Sequence, residues 1–176
     1  MSTETTMTAA ATSHRVWRLG SDIDTDLLAP GYVMQYGVDV IATHCLESIR
    51  PEFAADVRPG DVIVAGSGFG IGSSREQAAA VLVKLGVAAV IAPSYGGLFF
   101  RNAFNLGLIL LTCPQAERLQ EAEQIALALQ AQPYVVGADG EHLACSPIPP
   151  FLIDMARAGG LMNVLRERLA RERQGA

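Results

Sequence analysis

The sequence predicts an α/β fold built around a parallel βαβ unit. Residues 61–65 (DVIVA) form a β-branched run that is typical of a strand. Residues 74–85 carry apolar side chains at helical spacing and stop at Gly86, a residue type that often terminates helices. Residues 87–92 (VAAVIA) are apolar on both faces, as expected of a central strand in a parallel sheet. Strand, helix and strand follow one another closely enough for one βαβ unit with a right-handed crossover.

Further elements are predicted on both sides of this unit. Before it we expect a short strand at residues 16–19, a structured loop over GSDIDTDLLAPGYVMQYG and a helix at residues 38–49. After it we expect a helix at residues 98–104, a buried strand at 108–112, a hairpin in YVVGADGEHLAC and a helical segment at 151–173 interrupted at Gly159 and Gly160. Residues 114–131 allow either one helix, or a helix to about residue 123 followed by a strand in IALALQ.

The composition predicts a single domain preceded by a short tail. The chain has 176 residues, of which 50% are hydrophobic, enough to bury a core. Residues 1–14 are rich in Ser, Thr and Ala and predict a disordered tail, whereas residues 15–176 predict one domain. The tail lacks the basic start and the apolar stretch of a secretory signal, so we expect a cytoplasmic protein.

Charge and cysteine usage exclude several function classes. The net charge of −5 offers no basic footprint for a nucleic acid, and the densest apolar run, residues 107–113, is far shorter than the ~20 residues of a membrane span. Cys45, Cys113 and Cys145 are widely spaced and form no CxxC pair, so we expect buried, reduced thiols. The three histidines share no metal-ligand spacing. The sequence therefore predicts no metal site in this chain.

The candidate functional site is AGSGFGIGSSREQAAAV, residues 65–81. It has glycines at every second position, namely Gly66, Gly68, Gly70 and Gly72. Glycines between a strand and a helix let backbone N–H groups converge on an anion, to which the helix N-terminus adds partial positive charge. Arg75 in the first helical turn would oppose the helix dipole, which favours a site that holds something negative.

A plain turn is the alternative interpretation of this loop. Ser73 with Glu76, or Ser74 with Gln77, fits the spacing of a capping box at the start of the helix. Three common Gly-rich motifs do not fit, because the last Gly of the dinucleotide fingerprint, the Lys of a P-loop and the G-x-S-x-G of a nucleophile elbow are all missing.

A long stretch of the chain resembles the swivelling domain of the aconitase superfamily, and more closely the small subunits of the 3-isopropylmalate dehydratase type. The likeness runs from about residue 20 to residue 165 and includes DIDTD, GDVIVAG, GSSRE, FFRNAFNLGL and AGGLMNVL. It implies the swivelling β/β/α fold of that family and favours the helix-then-strand alternative for residues 114–131.

The resemblance implies a hydro-lyase that consists of two chains. In this family a separate large subunit holds a [4Fe–4S] cluster through three cysteines, and its open iron acts as a Lewis acid on the substrate. This chain would bind no cofactor itself and would be active only with that subunit. The family dehydrates and rehydrates small hydroxy-dicarboxylates or tricarboxylates, such as isopropylmalate in leucine biosynthesis. The alternatives are a non-catalytic carboxylate- or phosphate-binding swivel module and a nucleotide-binding domain.

The resemblance also implies roles for individual residues. Ser73 matches the family serine whose alkoxide removes the substrate proton, and Ser74 and Arg75 match positions that bind a substrate carboxylate. A helix N-terminus supplies roughly 0.3–2 kcal/mol, so convergent backbone donors and Arg75 must provide most of the alkoxide's stabilisation. Gly72 is expected beside the substrate, and four residues are expected to support the site: Asp26, Glu76, Arg101 and Asn102. Asp24 and Asp26 could be a metal pair or general acids, but we favour turn-forming aspartates that hold the loop.

The segment after DTD predicts substrate preference. Relatives usually have Tyr-Leu-Arg there, whereas this chain has Tyr32-Val33-Met34 and no arginine between Arg18 and Arg50. Because a thioether cannot pair with a carboxylate, we expect Tyr32 and Met34 to contact an apolar or small substrate group, as in isopropylmalate, citramalate or dimethylmalate. The alternative is that Met34 packs in the core and another subunit provides a charge.

Overall fold

Seven strands form one mixed sheet in the computed structural model, which describes residues 12–174. They are β1 (Ser13–Arg18), β2 (Val62–Val64), β3 (Ala89–Ala92), β4 (Ile109–Thr112), β5 (Gln124–Ala128), β6 (Tyr134–Val136) and β7 (His142–Ala144). Their order across the sheet is β4-β3-β2-β1-β5-β6-β7. β1, β2, β3 and β4 pair in parallel, and β5, β6 and β7 extend the sheet from β1 with antiparallel pairing.

Helices connect these strands. They are α1 (Thr25–Leu28), α2 (Val38–Thr43), α3 (Phe53–Asp56), α4 (Glu76–Lys84), α5 (Gly97–Asn105), α6 (Pro150–Arg157) and α7 (Leu161–Gln174). The β2-α4-β3 unit is the predicted βαβ unit, with Ile63 opposite Val90 in the parallel register. The predicted α/β class is therefore confirmed. None of the helices within residues 12–174 has both the length and the apolar character needed to cross a membrane.

The core lies around the central strands. All four residues of β3 are buried, as the apolar run on both of its faces predicted. Phe53, Phe69, Phe99 and Phe104 are also fully buried. Cys45, Cys113 and Cys145 are buried and free, which confirms the prediction made from their spacing.

Two element boundaries differ clearly from those predicted. Ser13 and His14 were assigned to the tail but belong to β1, because they pair with Ala126 and Ile125 of β5; residues 1–11 lie outside the described residues. α2 ends at Thr43 instead of continuing to residue 49. It stops because Leu46 has a positive φ of 60° and donates its N–H to the carbonyl of Leu27 at 2.8 Å.

The C-terminal half follows the predicted pattern more closely. In residues 114–131 the strand alternative is correct, since Gln124–Ala128 is β5, although the helix before it is only the 3-10 turn Ala116–Arg118. The predicted hairpin is β6 and β7, with Gly140 in its turn at a φ of 82°. The last helical segment divides into α6 and α7 at Gly159 and Gly160, as predicted.

Asp61 fixes the start of β2 against β1. Its carboxylate accepts hydrogen bonds from the Arg15 guanidinium, from Trp17 Nε1 at 2.8 Å and from the Arg58 N–H at 2.9 Å. Burial alone would raise the pKa of Asp61, but these hydrogen bonds outweigh it and hold that pKa below its usual value. Since β2 leads directly into the glycine-rich loop, this contact helps to place the loop at the carboxyl end of the parallel strands.

Candidate functional site

The glycine-rich loop, residues 65–75, packs against the loops that follow β1 and β3. Backbone hydrogen bonds join it to residues 20–25: Gly66 N–H to Gly20 C=O at 3.0 Å, Asp22 N–H to Ser67 C=O at 2.8 Å, Gly70 N–H to Ile23 C=O at 2.6 Å and Thr25 N–H to Ile71 C=O at 2.9 Å. Phe69 N–H donates to Ser94 C=O at 3.1 Å on the other side. The carboxyl ends of parallel strands meet at one edge of a sheet, a common place for ligand sites. The loop is therefore structured along most of its length.

The glycines of this loop allow close backbone packing. Gly68, Gly70 and Gly72 have positive φ values of 77°, 74° and 106°. A Cβ on Gly70 would overlap the ring of Phe99, and one on Gly66 would overlap Ser21. We expected the glycine N–H groups to converge on an anion, but those of Gly66, Gly68 and Gly70 donate to other residues of the chain. That expectation is wrong for these three glycines, because the packing of the loop uses their N–H groups.

At the end of the loop, from Gly72 to Ser74, the backbone N–H groups are available to an anion, as we expected for the whole loop. Within residues 12–174 the N–H groups of Gly72, Ser73 and Ser74 donate no hydrogen bond. All three residues are exposed and lie directly before α4. The N–H groups that an anion could meet are therefore those at the helix entrance.

The start of α4 differs from the predicted capping box. The N-cap residue is Arg75, with φ −61° and ψ 108°, and no side chain caps the helix. Arg75 thus lies before the first turn, and neither Ser73 nor Ser74 is the cap. The physical reason is tertiary: Arg75 Nη1 donates to Asp26 Oδ1 at 2.5 Å and to the carbonyl of Ala29 at 2.9 Å, which holds the arginine against α1.

Asp26 holds Arg75 in place. Its Oδ1 also accepts the N–H of Gly31 at 3.0 Å, so one carboxylate oxygen joins the arginine to the turn after α1. The hydrogen bond from Arg75, with that from Gly31, holds the pKa of Asp26 below its usual value. Asp24 has the turn role that we favoured, since its carboxylate accepts the N–H of Leu27 at 2.8 Å and caps α1.

Ser73 is exposed, and its hydroxyl has one hydrogen-bond partner among the described residues. Its Oγ lies 3.3 Å from Oγ1 of Thr25, the buried first residue of α1. The site thus combines an exposed hydroxyl, free N–H groups at a helix entrance and a guanidinium held by a carboxylate. Such an arrangement can bind a carboxylate and stabilise negative charge on an oxygen atom.

Comparison with known proteins places this arrangement in a family. Residues 35–116 match the family described as the Aconitase C-terminal domain. A 3-isopropylmalate dehydratase small subunit of Archaeoglobus fulgidus is 40% identical over 158 residues, which is 88% of this chain and 98% of that relative. The chain belongs to this family of dehydratase small subunits. A methanogen homoaconitase small subunit of Methanothermobacter thermautotrophicus is 39% identical over 151 residues, 85% of this chain and 87% of that protein.

The fold agrees with the solved structure of a family member. The crystal structure of a 3-isopropylmalate dehydratase from Methanocaldococcus jannaschii matches with a TM-score of 0.85 and 33% sequence identity. The match covers 93% of this chain and 98% of that one. The swivelling-domain fold implied by the resemblance is therefore confirmed for this small subunit.

Tyr32 and Met34 lie on the turn that follows α1. Tyr32 is 63% exposed, and its hydroxyl donates to Glu47 and lies 3.1 Å from His44 Nδ1. This hydrogen bond to Glu47 raises the pKa of Tyr32 and, with His44, lowers the pKa of Glu47. Met34 is half-buried and packs against the core, so part of its side chain stays accessible. The Tyr32 hydroxyl is thus already hydrogen-bonded within the subunit.

The other three residues that we predicted to support the site do not all lie beside the glycine-rich loop. Asn102 Nδ2 donates to the carbonyl of Ser74 at 3.4 Å, a contact that supports the loop. Glu76 is exposed in the first turn of α4. Arg101 lies instead at a cavity of about 150 Å³ that it shares with Phe100 and Leu152.

Sequence reasoning missed Thr25, Glu47 and His44. Thr25 stands between the two aspartates of DTD. From the sequence we assigned roles to the two carboxylates and none to the hydroxyl between them. Glu47 and His44 were placed inside a long helix that in fact ends at Thr43. Only the tertiary structure brings them to Tyr32.

The described residues do not fit an iron–sulfur cluster. Within residues 12–174 no three His, Cys, Asp or Glu side chains are grouped so that they could hold a metal ion. Cys45, Cys113 and Cys145 are buried, free thiols. The ligand set for such a group does not come from this part of the chain.

The packing of the loop predicts that Gly70→Ala will be strongly destabilising. A left-handed conformation costs a non-glycine residue about 1–2 kcal/mol, and the overlap with Phe99 adds about 1–3 kcal/mol. Urea unfolding of the purified chain should therefore show a loss of roughly 3 kcal/mol in the free energy of unfolding.

Gly140→Ala is the matched control, because Gly140 has a φ of 82° but nothing within 4 Å of an added Cβ. We expect a loss of about 1 kcal/mol there. Equal losses at the two positions would show that close packing against Phe99 is not what requires Gly70.

Proposed function

We propose that this chain is the small subunit of a hydro-lyase that dehydrates and rehydrates a hydroxy-dicarboxylate such as isopropylmalate, as leucine biosynthesis requires. In this proposal it acts in the cytoplasm, where buried thiols stay reduced, with a large subunit that carries a [4Fe–4S] cluster. The observation that carries the proposal is the start of α4, where the exposed Ser73 hydroxyl adjoins free N–H groups and Arg75 is held by Asp26.

Ser73 is the base in this proposal. Its alkoxide removes the proton from the carbon next to the hydroxyl-bearing carbon, and the hydroxyl leaves as the double bond forms. An aliphatic hydroxyl is a weaker acid than a tyrosine, whose pKa is about 10, and each pKa unit corresponds to ~1.36 kcal/mol. The helix N-terminus contributes roughly 0.3–2 kcal/mol, so several further donors must act together. The free N–H groups at Gly72 and Ser74 are suited to this task.

Arg75 and Ser74 bind a substrate carboxylate in this proposal. A guanidinium presents five donors in a planar fork, and only Nη1 is engaged by acceptors among the described residues. Asp26 holds that nitrogen, so the remaining N–H groups are oriented before substrate arrives. Bidentate recognition then fixes the carboxylate relative to Ser73.

The exposure of these residues supports a second subunit. Gly72, Ser73 and Ser74 are all exposed, whereas catalytic charges act best where water is excluded. The large subunit would cover the α4 entrance and would contribute the cluster, for which the described residues have no ligand set.

The turn after α1 supports an apolar substrate group. The Tyr32 hydroxyl is bound to Glu47 and His44 while the residue stays 63% exposed, and Met34 adds a thioether. No side chain of this turn offers a cation to a distal carboxylate. Isopropylmalate therefore fits better than citrate or homocitrate.

We predict that Ser73→Ala will abolish turnover by the complex reconstituted with the large subunit. Loss of a general base lowers kcat by roughly 10²–10⁴-fold. The measurement is the rate of alkene formation from isopropylmalate. Ser67→Ala is the matched control, because Ser67 is exposed on the same loop and its hydroxyl makes no hydrogen bond among residues 12–174. It should keep near-normal turnover. A Ser73→Ala complex as active as the Ser67→Ala complex would remove Ser73 from the chemistry.

The non-catalytic alternative makes a different prediction for the same complex. A carboxylate-binding module would bind isopropylmalate without turning it over, in the presence of the large subunit as well as in its absence.

Met34→Arg should shift substrate preference towards a tricarboxylate. A hydrogen bond to a charged group contributes about 1.5–3 kcal/mol, so the ratio of kcat/KM for homocitrate to that for isopropylmalate should rise by at least about tenfold. Gln35→Arg adds the same charge at an exposed neighbouring residue and serves as the control. An unchanged ratio in Met34→Arg would place Met34 outside the substrate site.

A further inference from the structure

We infer that the Thr25 hydroxyl donates a hydrogen bond to the Ser73 alkoxide and so stabilises the base that takes the substrate proton. The inference rests on the proposed role of Ser73 as the base. It adds a residue of α1 to a site that is otherwise built from the glycine-rich loop and Arg75.

The contact is specific and buried on one side. Thr25 Oγ1 lies 3.3 Å from Ser73 Oγ, and Thr25 is only 2% exposed. Among the described residues, Ser73 is the hydrogen-bond partner of the Thr25 side chain, and no buried side-chain nitrogen or oxygen lacks a partner. The Thr25 hydroxyl is therefore committed to Ser73 and shielded from water.

The direction of this hydrogen bond changes with the charge on Ser73. A neutral hydroxyl carries one hydrogen and accepts through its lone pairs, so either residue can donate in the resting state. An alkoxide can only accept, so Thr25 must donate once Ser73 has lost its proton. Hydrogen bonds to an ionised oxygen are roughly twice as strong as neutral ones. The contact is therefore stronger in the reactive state, which is the condition for catalysis.

The backbone fixes the Thr25 hydroxyl in this position. The N–H of Thr25 donates to the carbonyl of Ile71 at 2.9 Å, and its own carbonyl accepts the N–H of Ala29 at 3.0 Å. A β-branched side chain has few χ1 rotamers, which limits the motion of Oγ1 further. A Cβ on Gly72 would lie 3.0 Å from Oγ1, so glycine at this position leaves room for the hydroxyl. The donor is thus oriented before the reaction begins.

During the proposed step Thr25 loses no proton. The Ser73 alkoxide takes the carbon-bound proton of the substrate and becomes a hydroxyl, and the electrons of the broken C–H bond form the alkene as the substrate hydroxyl departs. Thr25 keeps its hydrogen throughout and stabilises the charge on Ser73 before that proton arrives.

Thr25→Val tests the inference, because valine keeps the shape and the β-branching but removes the donor. In the complex with the large subunit and isopropylmalate, kcat should fall by about 10²-fold while KM changes by less than about threefold. Thr25→Ser restores a hydroxyl and should keep at least about a third of the wild-type kcat. Thr43→Val, which removes an exposed threonine hydroxyl of α2, is the control and should leave kcat unchanged.

The outcomes separate this inference from the function on which it rests. Wild-type kcat in Thr25→Val, with Ser73→Ala inactive, would overturn the role of Thr25 alone. Full activity in Ser73→Ala would overturn the proposed function itself. If Thr25→Val does not fold, Thr25→Ser decides: a kcat as low as that of Ser73→Ala, at a wild-type thermal midpoint, would show that a hydroxyl at this position is not sufficient and would overturn the inference.

Discussion

The backbone contact between the glycine-rich loop and residues 20–25 is the constraint on which the rest of the structure depends. Hydrogen bonds from Gly66, Gly70 and Thr25 join the two segments, and side chains larger than hydrogen at the glycines would force them apart. The parallel pairing of β1 and β2 brings both segments to the same edge of the sheet. The position of Ser73 relative to Thr25, and of Arg75 relative to Asp26, follows from this contact.

The glycines and the charged residues of the site have different roles. Three glycines make the loop compact, and the free N–H groups that follow them are the ones available to an anion. In a chain with a net charge of −5, an anionic substrate needs such a local site. The ion pair of Arg75 with Asp26 orients the guanidinium without occupying all of its donors. Thr25 is buried, whereas Ser73 is exposed. This arrangement is suited to a site that a second subunit completes.

The sequence was most informative where local pattern and tertiary structure agree. The β2-α4-β3 unit was predictable because β-branched runs and helical spacing are strong signals. The end of α2 was not, because a single residue, Leu46, adopts a positive φ to reach Leu27. The prediction that a serine caps α4 was wrong, because Arg75 takes the N-cap position. Arg75 is held there by Asp26, 49 residues away in sequence. Thr25 was missed for the same reason, since its importance comes from a contact that no local spacing encodes.

The most direct test of the account is deuterium incorporation at the substrate carbon that loses its proton, followed by NMR in D₂O with the complex of both subunits. If Ser73 is the base, the wild-type complex incorporates deuterium, and a complex with Ser73→Ala does so roughly 10²–10⁴-fold more slowly. Incorporation at the wild-type rate in Ser73→Ala would mean that another group takes the proton, and the role assigned to the entrance of α4 would be contradicted.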